Sequence, residues 1–318
     1  MKMKSIAALL FALSFFPVSN AFADCDYNLT VPTFSYGVGD TNPIVSGTVQ
    51  VSRGQGGNSS NCNNFFLAFT KGWAGNYNRR GYNITTWVGY LYYNFYKNNN
   101  ATGVLKEPSD ISSTNEVIFD TLSKGSSKNL NYYFSLAPID ASSPPSAGTY
   151  YDVVQVQLYS GTYTNIVSYE GYRDLYVYLN VAKFISLSMV DTGGTYDGNQ
   201  TSKTLDFGEL EQGEQLGFDV RIVSNSGYIL KVSSSNNGLL KRVGGTGVKS
   251  EIGYDFYANN SIKTLTSSAA SPVTIASGTG KTPSGGALVP IKVAIKSVDD
   301  KDPGTYQDYV TLSVISND

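Results

Sequence analysis

Histidine is missing altogether from the 318 residues. That absence excludes Ser-His-Asp and Cys-His nucleophilic machinery, His-ligated zinc and most general-base schemes near neutral pH. Carboxylate-pair chemistry survives in principle. The acids, however, sit mostly beside turns such as "SVDDKDPG" and "MVDTGG", where bonding to nearby backbone is their ordinary job. An enzyme is therefore not expected, nor is a cofactor or a metal. Charge is also sparse: 15 % of residues are charged, the net charge is −2 and no basic block occurs, which argues against nucleic acid as a partner. Long apolar runs are absent beyond the first residues. There, Lys2 and Lys4 precede "IAALLFALSFF" and Ala21-Phe22-Ala23, the pattern of a secretory signal peptide. The run is too short to span a bilayer, so residues 1–23 are expected to be removed and the remainder exported. Cysteine is limited to Cys25 and Cys62. In an exported chain an even pair reads as a disulfide; a free catalytic thiol is the alternative, with no histidine to activate it.

What is abundant points to β structure: 24 Tyr, 15 Phe and 32 Gly, with no long helix-period stretch. The chain also repeats itself. Tyr93-Asn94-Phe95-Tyr96 recurs as Tyr254-Asp255-Phe256-Tyr257, and Gly148-Thr149-Tyr150-Tyr151-Asp152 recurs as Gly304-Thr305-Tyr306-Gln307-Asp308. Two matches in the same order imply two modules, residues 24–182 and 183–318. Short strands are expected near 25–33, 44–53, 63–71, 79–87, 90–97, 115–122, 129–137 and 148–159. In the second module they are expected near 183–190, 216–223, 227–235, 251–257, 287–298 and 305–316. Such a series without a helix implies tandem antiparallel β-sandwiches. Tyr150 and Tyr306, each following Gly-x after a proline-containing turn, suggest tyrosine corners. Within "GYLYYNFYKNNN" the alternation assigns Leu91, Tyr93 and Phe95 to the core and leaves Tyr90, Tyr92, Asn94 and Tyr96 on a half-exposed face.

Together, Cys25, "YNFYKNN", "YDFYANN", "LDFGELEQGEQLGFDVRIVSNSGYILKVSS" and "PGTYQDYVTLSV" resemble spore coat protein U-like domains, the subunit modules of archaic chaperone–usher pili. The second module fits well from Leu205 to Val314. The first keeps fewer elements, among them an Arg79-Arg80 pair. Its second cysteine, Cys62, lies beyond the position near Arg53 where such domains usually carry it. The resemblance implies immunoglobulin-like sandwiches, and tandem modules imply the tip adhesin of a pilus. Pilins of this kind resemble a sandwich lacking its last strand, which a neighbouring subunit supplies. Here "GYRDLYVYLNVAKFISLSMV" (171–190) can supply the first module's own last strand, whereas nothing comparable follows "YVTLSVISND". The second module is thus expected to be one strand short, with Phe184, Ile185, Val310, Leu312 and Val314 lining the gap. Only Asp24 precedes Cys25 in the expected mature chain, leaving no extension to donate, which suits the end of a fibre.

The expected partners are a periplasmic chaperone, an outer-membrane usher, an adjacent pilin donating a strand, and an abiotic or host surface at the pilus tip. Antiparallel parity puts the segment 160–171 at the pole far from the second module, as a loop carrying Tyr163, Ile166, Val167 and Tyr169. Trp73, Tyr77, Trp87 and Pro144 are further candidates for surface contact, with biofilm attachment as the outcome. A glycan-binding lectin using Trp73, Asn76 and Tyr77 is the alternative, and a secreted coat or structural subunit is a third reading.

Overall fold

The computed structural model describes residues 25–39, 41, 43–56, 60–139, 144–267 and 271–317. The expected signal peptide lies outside the described residues. The fold is all-β. The first ten strands are β1 (Tyr27–Thr30), β2 (Phe34–Val38), β3 (Val45–Arg53), β4 (Asn64–Phe69), β5 (Arg79–Asn83), β6 (Tyr90–Tyr96), β7 (Ile118–Thr121), β8 (Ser127–Leu136), β9 (Gly148–Thr162) and β10 (Asn165–Val181). They form one sheet in the order β1-β3-β8-β6-β5-β9-β10-β2, with β4 joining β9 and β7. Because β1 and β2 are consecutive in sequence yet sit at opposite ends of that order, the sheet wraps round on itself. Strand alternation turns Val154, Val156 and Leu158 of β9 and Leu175, Val177 and Leu179 of β10 into a core where each is at most 1 % exposed. The aromatic run divides as expected, with Leu91, Tyr93 and Phe95 buried and Tyr90 and Tyr92 exposed. Asn94 departs from the expectation: it is buried, accepting from Arg79 and donating to the Tyr77 carbonyl.

The second set comprises β11 (Ile185–Val190), β12 (Gln215–Ser224), β13 (Tyr228–Ser234), β14 (Leu239–Arg242), β15 (Glu251–Ala258), β16 (Ser261–Lys263), β17 (Val273–Gly278), β18 (Ala287–Ile295), β19 (Tyr306–Gln307) and β20 (Val310–Ser316). One layer runs β11-β12-β18-β15 and continues through β14 to β19; the facing layer is β17-β13-β20. Phe218, Val220, Ile222, Leu230, Val232, Ile252, Phe256 and Ile291 fill the space between them. No ladder joins this set to β1–β10 among the described residues. Asn225 meets the connecting segment instead: its side chain accepts from the Phe184 N–H (2.7 Å) and donates to the Ala182 carbonyl (2.9 Å), and its carbonyl accepts from the Ala147 N–H (2.8 Å).

The two repeated motifs touch each other in both modules. Tyr93 donates its hydroxyl to Asp152 Oδ2 at 2.6 Å, and Tyr254 donates to Asp308 Oδ2 at 2.6 Å. Each bond ties β6 or β15 to the second repeated motif, Asp152 in β9 and Asp308 just before β20, so each half of the repeat satisfies the other. The tyrosine corners also form, with the hydroxyls of Tyr150 and Tyr306 on the carbonyls of Ser146 (2.9 Å) and Asp302 (2.6 Å), four residues upstream in each case. Strands β2, β14, β16 and β17 were not expected. β14, β16 and β17 are short or edge elements where alternation is faint, whereas β2, Phe34-Ser35-Tyr36-Gly37-Val38, alternates clearly and had that signal. One expectation is overturned outright: 160–171 is no loop, but the far part of a β-hairpin formed by β9 and β10.

Cys25 and Cys62 are disulfide-bonded and fully buried, with Cα atoms 5.2 Å apart. The bond joins the entrance of β1 to the turn before β4, where the Tyr27 hydroxyl also donates to the Cys62 carbonyl at 2.5 Å. Closing a loop of 37 residues stabilises by about 3–4 kcal/mol on the chain-entropy model. Replacing both cysteines by Ala should therefore lower the first module's stability by at least that much. Trp73 and Trp87 are the protein's two tryptophans, so urea titrations followed by Trp fluorescence isolate this module. A loss below about 1 kcal/mol would show that packing, not the cross-link, holds this end together.

Candidate functional site

Two regions of the molecule leave apolar surface unsatisfied in ways that matter. The first is the rim of the second module. β20 bonds to β13 along one edge (Ser234 opposite Val310 through Tyr228 opposite Ser316), and its other edge carries no ladder among the described residues. Leu312 and Val314 are only half-buried there, and Val310 is 36 % exposed. Across the gap, Ile185, Leu187 and Met189 of β11 are half-buried and Phe184 is 49 % exposed. Leu205 and Phe207 alternate with exposed Asp206 and Gly208 and pack on the same core, yet their segment belongs to no strand. In the first module the corresponding place is filled: β2 pairs in parallel with β10, and β10 pairs with β9 from Asn165 to Val181 with two bulges. Sequence reading named Phe184, Ile185, Val310, Leu312 and Val314; it missed Leu187, Met189, Leu205 and Phe207, whose alternation was the available signal.

The second region is the outer surface of the first module. β9 leaves the junction beside Ala147 and runs fifteen residues, so at about 3.3 Å per residue its tip stands on the order of 45 Å from its start. At that far end Thr162 and Asn165 close a tight turn, and bulges around Val167 and Glu170 interrupt the pairing. Ile166 (44 %), Val167 (39 %) and Tyr169 (43 %) are exposed. Tyr163 is different. It is partly buried against Phe66, Ala68 and Val117, a small satellite core on the outside of the sheet. Glu116 secures that core's covering segment by accepting from Lys106 Nζ (2.6 Å) and the Ser112 hydroxyl (2.8 Å) and N–H (2.7 Å). Although burial opposes it, these bonds draw the Glu116 carboxyl down to about 2.

The remaining sequence candidates do not share that pole. Trp87 is 68 % exposed in the turn between β5 and β6, whose Ile84 N–H bonds to the Thr149 carbonyl near the junction. Pro144 is half-buried just before Ala147, also at the junction end. Tyr77 is framework: its hydroxyl donates to Asp110 (2.9 Å) and accepts from the Glu107 N–H (2.9 Å), and its ring lies under Lys71 and Arg79. Asn76 spends its amide on its own turn, donating to the Ala74 carbonyl and accepting from the Asn78 N–H. The trio Trp73, Asn76 and Tyr77 therefore does not converge on a common ligand position.

Trp73, by contrast, is 48 % exposed and held in place from beneath. Gly72 adopts a left-handed φ of +66°, and a Cβ there would lie 2.4 Å from Asp152 Oδ2. That close approach lets the Trp73 N–H reach Asp152 Oδ1 at 3.0 Å. Burial raises the Asp152 carboxyl above its ordinary range, against the bonds from Tyr93, Trp73 and Val153 that favour its ionised form. The Trp73 ring stands edge-on to Tyr151 (5.2 Å) and is 6.3 Å from Tyr82.

Among the described residues no cluster of His, Cys, Asp or Glu is suited to a metal ion. No curated protein matches the sequence significantly. The similar solved structures include three adhesive subunits. The CsuC–CsuE chaperone–tip adhesion subunit complex of Acinetobacter baumannii matches at 16 % identity and a TM-score of 0.38, over 90 % of this chain and 99 % of that one. CfaE, the adhesive subunit of CFA/I fimbria of enterotoxigenic Escherichia coli, matches at 12 % identity and 0.44, over 92 % and 94 %. The CupB6 tip adhesin from Pseudomonas aeruginosa matches at 7 % and 0.38, over 91 % and 94 %. At that level the likeness supplies no residue correspondence. The family model of the Spore Coat Protein U domain matches residues 12–157, whereas the motifs that resemble such domains are densest in 205–314. The first half of the chain is thus similar to the Spore Coat Protein U domain.

Proposed function

We propose that this protein is the tip adhesin of an archaic chaperone–usher pilus, exported through the periplasm and displayed at the cell surface. The observation that carries the reading is the contrast between the two modules. Among the described residues β9 is paired on both edges, by β4 and by β10, whereas β20 is paired on one edge only and borders a half-wet apolar rim. A module of the second kind accepts a β-strand from the next subunit. Before assembly a periplasmic chaperone covers the same rim, and an outer-membrane usher passes the subunit on. A module of the first kind has no need of a neighbour and is free to meet a surface. The tip-type likenesses, to CsuE of Acinetobacter baumannii and CupB6 of Pseudomonas aeruginosa, agree with this assignment.

Attachment to abiotic or host surfaces, and hence biofilm formation, is assigned to the far end of the β9–β10 hairpin. Ile166 and Val167 expose apolar area there without belonging to a core, and Tyr169 exposes its outer side while its ring packs on Tyr159 (5.0 Å). Replacing these three by Ser should reduce attachment of piliated cells to hydrophobic plastic by about tenfold or more. Pili counted by electron microscopy should be unchanged. Tyr163 is left intact in this variant because it packs on Phe66, Ala68 and Val117. Undiminished attachment would remove the hairpin from the adhesive surface while leaving the strand-accepting role standing.

A further inference from the structure

The outer face of β5, β6 and β9 carries a continuous aromatic band that neither a core nor the hairpin tip accounts for. Tyr92 lies beside Tyr90 (4.9 Å), Tyr90 beside Tyr82 (6.3 Å), Tyr82 beside Trp73 (6.3 Å) and Trp73 beside Tyr151 (5.2 Å). Tyr90 is 45 % and Tyr92 40 % exposed. Register explains the assembly: Arg80 faces Tyr92 and Tyr82 faces Tyr90 across β5–β6, while Tyr82 faces Tyr151 across β5–β9. Residues from four separate stretches of sequence are thereby brought onto one surface.

Arg80 sits in the middle of this band. Its guanidinium lies 4.9 Å from the Tyr90 ring centroid and 5.3 Å from that of Tyr92. No acid forms an ion pair with it among the described residues, and its Nε is a buried donor without an acceptor. A guanidinium fork flanked by ring faces is the complement of a planar carboxylate attached to a flat, C–H-rich ring. Aromatic faces take up the apolar face of a sugar, and the tyrosine hydroxyls at their edges meet its hydroxyl groups. A purely apolar surface would leave Arg80 with nothing to bind. Nucleic acid does not fit a chain of net charge −2 without a basic block.

We infer that the Arg80-centred aromatic band is a binding site for acidic saccharides, their carboxylate on Arg80 and their rings on Tyr90, Tyr92 and Trp73. The site is distinct from the hairpin tip and does not depend on the strand-accepting role of the second module.

The test is calorimetric titration of the full chain with oligogalacturonate, with its methyl ester, and with sialyllactose against lactose. Binding to at least one acidic sugar, about tenfold or more above its uncharged counterpart, is the expected result. The arm that responds separates uronate polymers from sialylated glycans. Arg80→Gln should abolish the preference for the acid, and Trp73→Ala with Tyr90→Ala should abolish binding to both forms. Neither change should move the Trp87 fluorescence transition in urea by more than about a few tenths of a molar. Equal affinity for acid and neutral forms, an Arg80→Gln variant that keeps the preference, or no binding to either acidic sugar would overturn the inference.

Discussion

Fusing an alternating apolar strand after Asp318 through a short flexible linker should raise the melting temperature of the second module by roughly 15–20 °C. The estimate starts from the rim. Leu187, Met189, Leu205, Phe207, Leu312 and Val314 are half-buried at best in the free chain. Completing the burial of an aliphatic side chain from that point gains about 1 kcal/mol, and part of the sum is returned as the entropy of ordering the added strand. Main-chain bonds to the free edge of β20 add about 0.5–1.5 kcal/mol each. A net gain of about 5 kcal/mol is a cautious total, and about 3–4 °C per kcal/mol suits a domain of this length. The two modules can be read separately because both tryptophans lie in the first. The calorimetric transition of the second module should move while the Trp fluorescence transition stays in place. A fused strand with Asp at its alternating apolar positions is the control and should give no shift. If the apolar strand also leaves the transition where it was, the rim is not an acceptor, and the tip-adhesin proposal loses its main support.

How much of this was legible in the sequence depends on whether the signal was local. The repeat was visible because Tyr93 and Asp152, like Tyr254 and Asp308, are parts of short motifs; that the motifs bond to each other required the fold. The incomplete rim was half-legible: Val310, Leu312 and Val314 alternate within one strand, but Leu205 and Phe207 come from a segment that belongs to no strand among the described residues. The hairpin tip was misread as a loop because Thr162, Thr164 and Asn165 look like turn residues and the bulges at Val167 and Glu170 break the period-2 pattern. The aromatic band was the least legible feature. Tyr82 and Tyr151 are 69 positions apart in sequence and meet only through the β5–β9 register, and a single chain gives no access to register between non-adjacent strands.

The Arg79-Arg80 pair shows the same limit at its sharpest, and its two members should respond oppositely to substitution. Alternation on β5 sends Arg80 outward and Arg79 into the core, where it is 0 % exposed. Its guanidinium donates from Nε to the Thr70 carbonyl (2.9 Å) and from its terminal nitrogens to the carbonyls of Leu105 (2.7 Å) and Phe69 (3.2 Å) and to Asn94 Oδ1. The Tyr77 and Phe95 rings lie 5.3 and 5.8 Å from it. Burial lowers its pKa, offset by Tyr93, Tyr77 and Asp152 nearby, and an arginine so placed stays protonated. Arg79→Ala removes the side-chain donor from the carbonyls of Thr70, Phe69 and Leu105, while Asn94 Oδ1 keeps the Phe95 N–H (3.1 Å), and it opens a cavity between β4, β5 and β6. Removing one partner from a buried charged network costs about 3–5 kcal/mol, a large part of the 5–15 kcal/mol a domain typically has. Arg79→Lys keeps the charge but reaches fewer acceptors from a single point, so its cost should fall near half of that. Arg80→Ala touches only the outer face and should shift stability by less than about 0.5 kcal/mol. Urea titrations of the three variants by Trp fluorescence decide the matter. An Arg79→Ala protein as stable as Arg80→Ala would mean that the three carbonyls find other donors, and that the buried arginine is not what holds β5 against the segment at Leu105.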